Sequence, residues 1–397
     1  MPFLGMGCKE KDGQEFLQLG PMSYAHNMRK TRAKTLSRGI AGAPVSGELA
    51  LIRQIRDRVA AQQGRVAGRP GGVRLGIGDD CALLRVRAGE EIAVTTDLSL
   101  DGRHFRLDWH PAEAVGHRTL ARGLSDLAAM GARPVGAFLS LGLPRELAKT
   151  GSGAGSKAWL QRFFDGLLAL AAEHGAVLAG GDLAESPVAV ADVVLVGAVP
   201  RGRALLRSGA RAGELLYVTG ALGGAATGLA RLATWAATAK PGARGRRRGI
   251  SADFAAELAA HLYPQPRVQQ GLWLQRRGAA TAAIDVSDGL STDLAHLCQE
   301  SGVAAEVDAD LLPVHAGATQ AQALHGGEDY ELLFTAPEGK RIPNAIAGVA
   351  VTRIGRMMRL RKGQPQVTLV KRPNKKGLDK NGHDKLPLTP QGWEHFC

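Results

Sequence analysis

Aromatic residues are scarce in this chain, 5% of 397 positions, which leaves little to stack against bases and weighs against a single-stranded nucleic-acid binder. The formal net charge of +13 does not restore that reading. Residues 1–46 carry seven Lys/Arg against three Asp/Glu, and residues 353–385 carry eleven against two, so two stretches hold the whole excess. A nucleic-acid footprint would need basic residues clustered on a structured element, whereas these stretches read as peripheral and the remaining body is neutral. Cysteine is equally sparse. Cys8, Cys81, Cys298 and Cys397 form no Cys-x-x-Cys pair, so neither a zinc ribbon nor a disulfide framework is indicated and a reducing, cytoplasmic setting fits. The apolar run at the N-terminus is too short for a signal-peptide core, and no segment reaches the apolar length of a membrane span.

Several catalytic signatures are missing too. There is no Gly-x-Ser-x-Gly elbow and no His-x-x-x-His pair, which excludes the usual serine-hydrolase and zinc-helix patterns. Gly151 to Lys157 (GSGAGSK) lacks the glycine before lysine and the hydroxyl after it that a phosphate loop requires, and reads as a linker. Gly76-x-Gly78-x-x-Cys81 lacks the third glycine of a dinucleotide fingerprint.

What the chain does have is acid beside glycine or a small polar residue, five times over: Gly76-Ile77-Gly78-Asp79-Asp80, Thr95-Thr96-Asp97, Leu124-Ser125-Asp126, Gly180-Gly181-Asp182 and Asp285-Val286-Ser287-Asp288-Gly289. Each alone reads equally as an Asx turn or a solvated helix position. Their recurrence points to oxygen ligands for a hard cation, and hence to phosphate handling. Asp126 is the most telling, since it lies mid-helix between Leu124 and Leu127, which the pattern buries.

Length and a 45% hydrophobic content provide for two cores. Helical periodicity predicts helices over 48–61, 111–130, 157–174 and 290–300, with another opened by Gly220 to Gly224. Short β-type runs fall at 92–96, 135–141, 176–179, 188–199, 215–219, 282–286 and 332–334. Strands and helices alternate without regular βαβ spacing, so the fold class is α+β. We divide the chain into a basic extension (1–46), an N-terminal α+β domain (47–200) and a C-terminal α+β domain (201–397). Ala237 to Gly249 reads as a solvated basic loop.

The ordered motifs GELALI (47–52), GIGDDCALL (76–84), TTDLSLDGRHF (95–105), LSDLAAMGARP (124–134), GGD (180–182), GRALLRSGARAGE (202–214), YVTGALG (217–223), IDVSDGLSTDL (284–294), GGEDYELLF (326–334) and GWEHF (392–396) together resemble the thiamine-monophosphate kinases, of the aminoimidazole ribonucleotide synthetase superfamily. The likeness covers nearly everything from Gly47 onward. It implies two α+β domains, the first pairing through its sheet in a homodimer, and ATP-dependent conversion of thiamine monophosphate to thiamine diphosphate. By position it implies that Asp80, Thr95, Thr96, Asp97, Asp126, Asp182, Asp285 and Asp288 hold several Mg2+ ions. Gly181, Arg207 and Ser287 would contact ATP, and His104, Glu328 and Trp393 the thiamine phosphate. Neither a membrane nor a specific nucleic acid is an expected partner. One departure is Leu183, where the family commonly follows GGD with threonine. Other ATP-using members of the superfamily remain alternatives: the purine synthetase, selenophosphate synthetase and the hydrogenase-maturation dehydratase. Cys8 lacks the following glycine run of the second, and Cys397 ends a GWEHFC context unlike the third. A non-catalytic nucleotide-binding protein is a more distant alternative.

Overall fold

A computed structural model describes residues 48–63, 72–148, 158–238, 250–371 and 384–393. The N-terminal extension, the GSGAGSK segment and nearly all of the basic loop at 237–249 lie outside the described residues. No helix among the described residues is long and apolar enough to cross a membrane.

Helix α1 (Glu48–Gln63) leads to a small antiparallel pair, β1 (Val73–Leu75) and β2 (Leu83–Leu84). There follow β3 (Glu90–Leu100), α2 (Ala112–Ala129), β4 (Arg133–Leu143), α3 (Trp159–His174), β5 (Leu178–Glu185) and β6 (Val190–Pro200). Their strands form a four-stranded sheet in the order β3-β6-β4-β5, and only the β4–β5 pair is parallel. Alternation along β3 decides which residues serve the interior. Thr95 and Asp97 face α2, to which both are hydrogen-bonded through Asp126 and Arg122. Ile92, Val94 and Leu98 face away and are 58%, 61% and 50% exposed.

Helix α2 is the centre of this half, with fifteen of its eighteen residues buried. It lies against α3 at backbone contact: a Cβ at Gly116 would fall 1.9 Å from the Phe163 carbonyl oxygen, and one at Gly166 would fall 1.9 Å from that of Glu113. Only hydrogen fits at either crossing point.

The second half contains β7 (Leu215–Thr219), α4 (Gly224–Thr238), α5 (Ala252–Glu257), α6 (Ala259–Leu262), α7 (Val268–Arg277), β8 (Ala282–Asp285), α8 (Leu290–Ser301), β9 (Val303–Asp308), α9 (Gln320–His325), β10 (Leu332–Ala336), β11 (Ala345–Ile346), β12 (Val349–Arg359), β13 (Val367–Lys371) and β14 (Asp384–Pro387). Its sheet runs β14-β13-β9-β12-β7-β10-β8, with β11 beside β12. The halves meet where α7 packs on α2, with the backbone of Gly271 against that of Ala128. Architecture is thus α+β in two parts. Part of the basic C-terminal stretch, read above as peripheral, is instead β12, flanked by β7 and β9. A bulge between Arg353 and Gly355 breaks its alternation, and Arg356 is paired with Glu306.

Candidate active site

One turn of α2 separates each of Arg118, Arg122 and Asp126, so helical spacing sets all three on one face, with Ser125 beside them. That face borders a cavity of about 560 Å3 at the junction of the two halves. Asp97, Arg122, Asp126, Asp285, Ser287 and Asp288 line one part of it, and His104, Trp109, Glu328 and Trp393 another.

At the acidic end three elements contribute. Thr95 on β3 donates a short hydrogen bond to Asp126, while Asp97, two residues on, accepts one from Arg122 Nε at 3.3 Å. Asp285 terminates β8, is 2% exposed, and accepts from Ser125 Oγ at 2.7 Å. Burial pushes Asp97 up to about 6, opposed by Arg122 and reinforced by Asp126. Burial also raises Asp285 and Asp126, the former with a push from Asp126 itself; the charge of Arg207 opposes both shifts. Carboxyls this reluctant to ionise side by side are relieved by an added cation.

The turn after β8 is held by Asp293 on α8. Its Oδ2 accepts from the amides of Ser287, Asp288 and Gly289, each at 3.0 Å. The segment carrying Trp393 docks here through its backbone: Gly392 N–H donates to Thr292 Oγ1 at 3.1 Å and Trp393 N–H to the Asp288 carbonyl at 3.2 Å. Trp393 keeps half of its surface exposed beside the cavity.

Glu328 arrives from the loop before β10. It and Tyr330 adopt positive φ, 67° and 51°, a conformation costly for residues with side chains. The loop is pinned on both sides. Asp329 accepts from Gly223 N–H at 2.6 Å and Ala225 N–H at 3.0 Å at the start of α4, and the amides of Glu328 and Tyr330 donate to the Ser287 and Val286 carbonyls. Burial would favour a neutral Glu328, but the guanidinium of Arg118, 2.7 Å away, then His261 and Arg122, hold it down to about 2.

Not every expected residue lies here. Asp80, Gly181 and Asp182 line a separate cavity of about 970 Å3, between the 77–82 loop and β5. Asp182 was expected just beyond a strand, yet β5 continues through Gly180-Gly181-Asp182 and pairs with β4. Asp97, likewise expected at a strand end, sits inside β3. Thr96 points opposite to its neighbours. Register rows Thr96–Val194–Phe138–Gly180 and Leu98–Asp192–Ser140–Asp182 put Thr96 and Asp182 on the outer face of the sheet, with the exposed side of β3. Among the described residues, no group of three His, Cys, Asp or Glu could hold a metal ion unaided. Sequence reasoning missed Arg118, Arg122, Ser125 and Asp293. The spacing of four between charged residues on an otherwise apolar α2 was the available signal.

Residues 78–199 match the family described as AIR synthase related protein, N-terminal domain, and residues 211–358 its C-terminal domain. The thiamine-monophosphate kinase of Salmonella typhimurium is 40% identical over 325 residues, covering 78% of this chain and 90% of that protein. A crystal structure of thiamine-monophosphate kinase from Stenotrophomonas maltophilia K279a superposes with a TM-score of 0.65 at 39% identity, over 79% of this chain and 94% of that one. The structure of AaThiL complexed with AMPPCP and TMP superposes at 0.61 with 27% identity, over 88% and 97% of the two chains.

Proposed function

This chain belongs to the thiamine-monophosphate kinases among the AIR synthase related proteins, and from that membership we infer that it transfers the γ-phosphoryl group of ATP to thiamine monophosphate, giving thiamine diphosphate and ADP. The observation that carries this reading is the convergence of Asp97, Asp126 and Asp285 with His104, Glu328 and Trp393 on one cavity.

The donor set at the acidic end is all oxygen, which suits Mg2+. In phosphoryl-transfer sites Mg2+ takes one or two carboxylates and completes its shell with phosphate oxygens and water, so a full protein cage is not required. We assign Thr95, Asp97, Asp126, Asp285 and Asp288 to this role. When bound, Mg2+ offsets the charge of the polyphosphate.

The chain's own residues supply position. Arg207 and Ser287 are read as nucleotide contacts. Glu328, held ionised by Arg118, offers a negative charge to the thiazolium cation, and Trp393 offers a ring face to the heterocycle. The acceptor phosphate is already anionic at neutral pH, so no strong base is needed and alignment with charge stabilisation supplies the rate.

We further propose a homodimer built on the outer face of the β3-β6-β4-β5 sheet, where Ile92, Val94 and Leu98 are exposed. Thr96 and Asp182 share that face, and we read them, with Asp80 and Gly181, as serving the nucleotide across the dimer. The test of the reaction is direct: purified protein with ATP, Mg2+ and thiamine monophosphate is expected to yield thiamine diphosphate and ADP in equal amounts by chromatography. ADP formation without thiamine diphosphate would overturn the assignment.

A further inference from the structure

Arg118 is 4% exposed and does not line the cavity of about 560 Å3, yet its guanidinium touches three pieces of that cavity's wall. Nη2 donates to the His104 carbonyl at 3.2 Å and to Glu328 Oε1 at 2.7 Å. Nη1 donates to the carbonyl of His261 in a short contact, and lies 3.3 Å from the Nδ1 of the same residue. His104 and Arg118 belong to the first half, and His261 and Glu328 to the second, so one side chain spans the junction behind the substrate end of the cavity.

The chemistry beyond Arg118 is consistent with a fixed cation. With Arg118 donating toward His261 Nδ1, that imidazole carries its proton on Nε2, which lies 3.0 Å from His110 Nε2. His110 Nδ1 faces the Arg106 backbone, 3.1 Å from its amide nitrogen and 3.2 Å from its carbonyl oxygen. The two imidazoles thus link the guanidinium to the loop that lines the cavity mouth.

We propose that Arg118 is a positioning residue for the acceptor substrate: by holding the His104 carbonyl and the Glu328 carboxylate on one Nη2, it fixes the spacing of the two groups between which thiamine monophosphate is read. The proposal rests on the kinase reading above. Lysine cannot substitute, because a single ammonium on a flexible stem lacks the planar fork that engages several acceptors at once.

The experiment measures KM for thiamine monophosphate and for ATP separately in wild type, Arg118→Lys, Glu328→Gln and the double variant, with the melting temperature of each. Wild-type turnover decides the kinase reading by itself, before any variant is considered. Given turnover, Arg118→Lys is expected to raise KM for thiamine monophosphate on the order of tenfold while leaving KM for ATP within about twofold. The double variant should fall short of the sum of the two single effects, since the Arg118–Glu328 contact is lost in each. An unchanged KM for thiamine monophosphate, an equal rise in both constants, or additive effects in the double variant would each overturn the proposal. Glu328→Gln keeps the shape of the site, so if Arg118→Lys fails to fold, Glu328→Gln must itself show the selective KM rise, and its absence counts against the proposal.

Discussion

Ser125 Oγ lies 2.7 Å from Asp285 Oδ2, so a hydroxyl on α2 meets a carboxylate at the end of β8 where the two halves of the chain join. The contact favours the ionised form of a carboxyl that burial otherwise keeps protonated. Ser125→Ala should therefore shift Asp285 further toward its neutral form and demand more Mg2+ for half-maximal rate, with kcat lowered by about tenfold. Asp285→Asn should cost about a thousandfold, since it removes the charge itself. A Mg2+ titration of the initial rate checks both, and an unaltered midpoint for Ser125→Ala would count against the assignment.

Asp126→Asn and Asp182→Asn are each expected to lose nearly all activity. If Asp182 serves the nucleotide across the dimer, co-expressing the two variants should restore about a quarter of the wild-type rate, because half of the dimers then hold one intact site. Differentially tagged subunits purified in tandem make that fraction measurable. No recovery in the purified heterodimer would place Asp182 with Asp126 in the same chain's site, and full activity of Asp182→Asn alone would place it outside catalysis.

Asp293→Ala leaves the amides of Ser287, Asp288 and Gly289 without their common acceptor. A loss of about 3 kcal/mol in stability is expected, together with a lower kcat, as the turn carrying Asp288 loosens. Asp293→Asn retains an oxygen acceptor and should lose less than half as much. Chemical denaturation of both variants is the check.

Burial, and then the charge of Arg118, pull the pKa of His110 from 6.5 down to about 4, and the same two causes lower His261. The hydrogen bond to the Arg106 backbone, then Glu328 and Asp108, pull the other way on His110 without prevailing. The unfolded chain takes up protons that the native chain refuses. Stability tied to the neutral His110 is therefore fully present above pH 6.5 and is lost as pH falls toward 4, on the order of 3 kcal/mol in all. Melting temperatures of wild type and His110→Gln across that window should converge toward the acid end, and parallel curves would exclude the histidine as the cause.

Much of this molecule could be read without coordinates. Helix α2 was expected over 111–130 and spans Ala112–Ala129, because its apolar stripe is unbroken and Gly131 stops it. β3 was expected only over 92–96 and runs from Glu90 to Leu100. The polar run Thr95-Thr96-Asp97 interrupts its apolar alternation, which resumes at Leu98 and Leu100. β5 looked finished at its glycines for a related reason. A Cβ at Gly181 would fall 1.9 Å from the Leu139 carbonyl oxygen, so what resembles a turn signal is a close pairing of strands. The acids of the site were visible as a recurring pattern. The arginines that hold them were not, since the meaning of Arg118 depends on residues far away in sequence, His261 and Glu328.

The crossing of α2 and α3 at Gly116 and Gly166 bears on how such a protein can vary. Arg118, Arg122, Ser125 and Asp126 ride on one rigid rod whose height is set by two hydrogen atoms on the side away from the chemistry. An alanine at position 166 would touch no substrate, yet it would lift four functional side chains together, with no single one of them able to compensate. Packing at this crossing therefore also sets the alignment of the side chains assigned to the site.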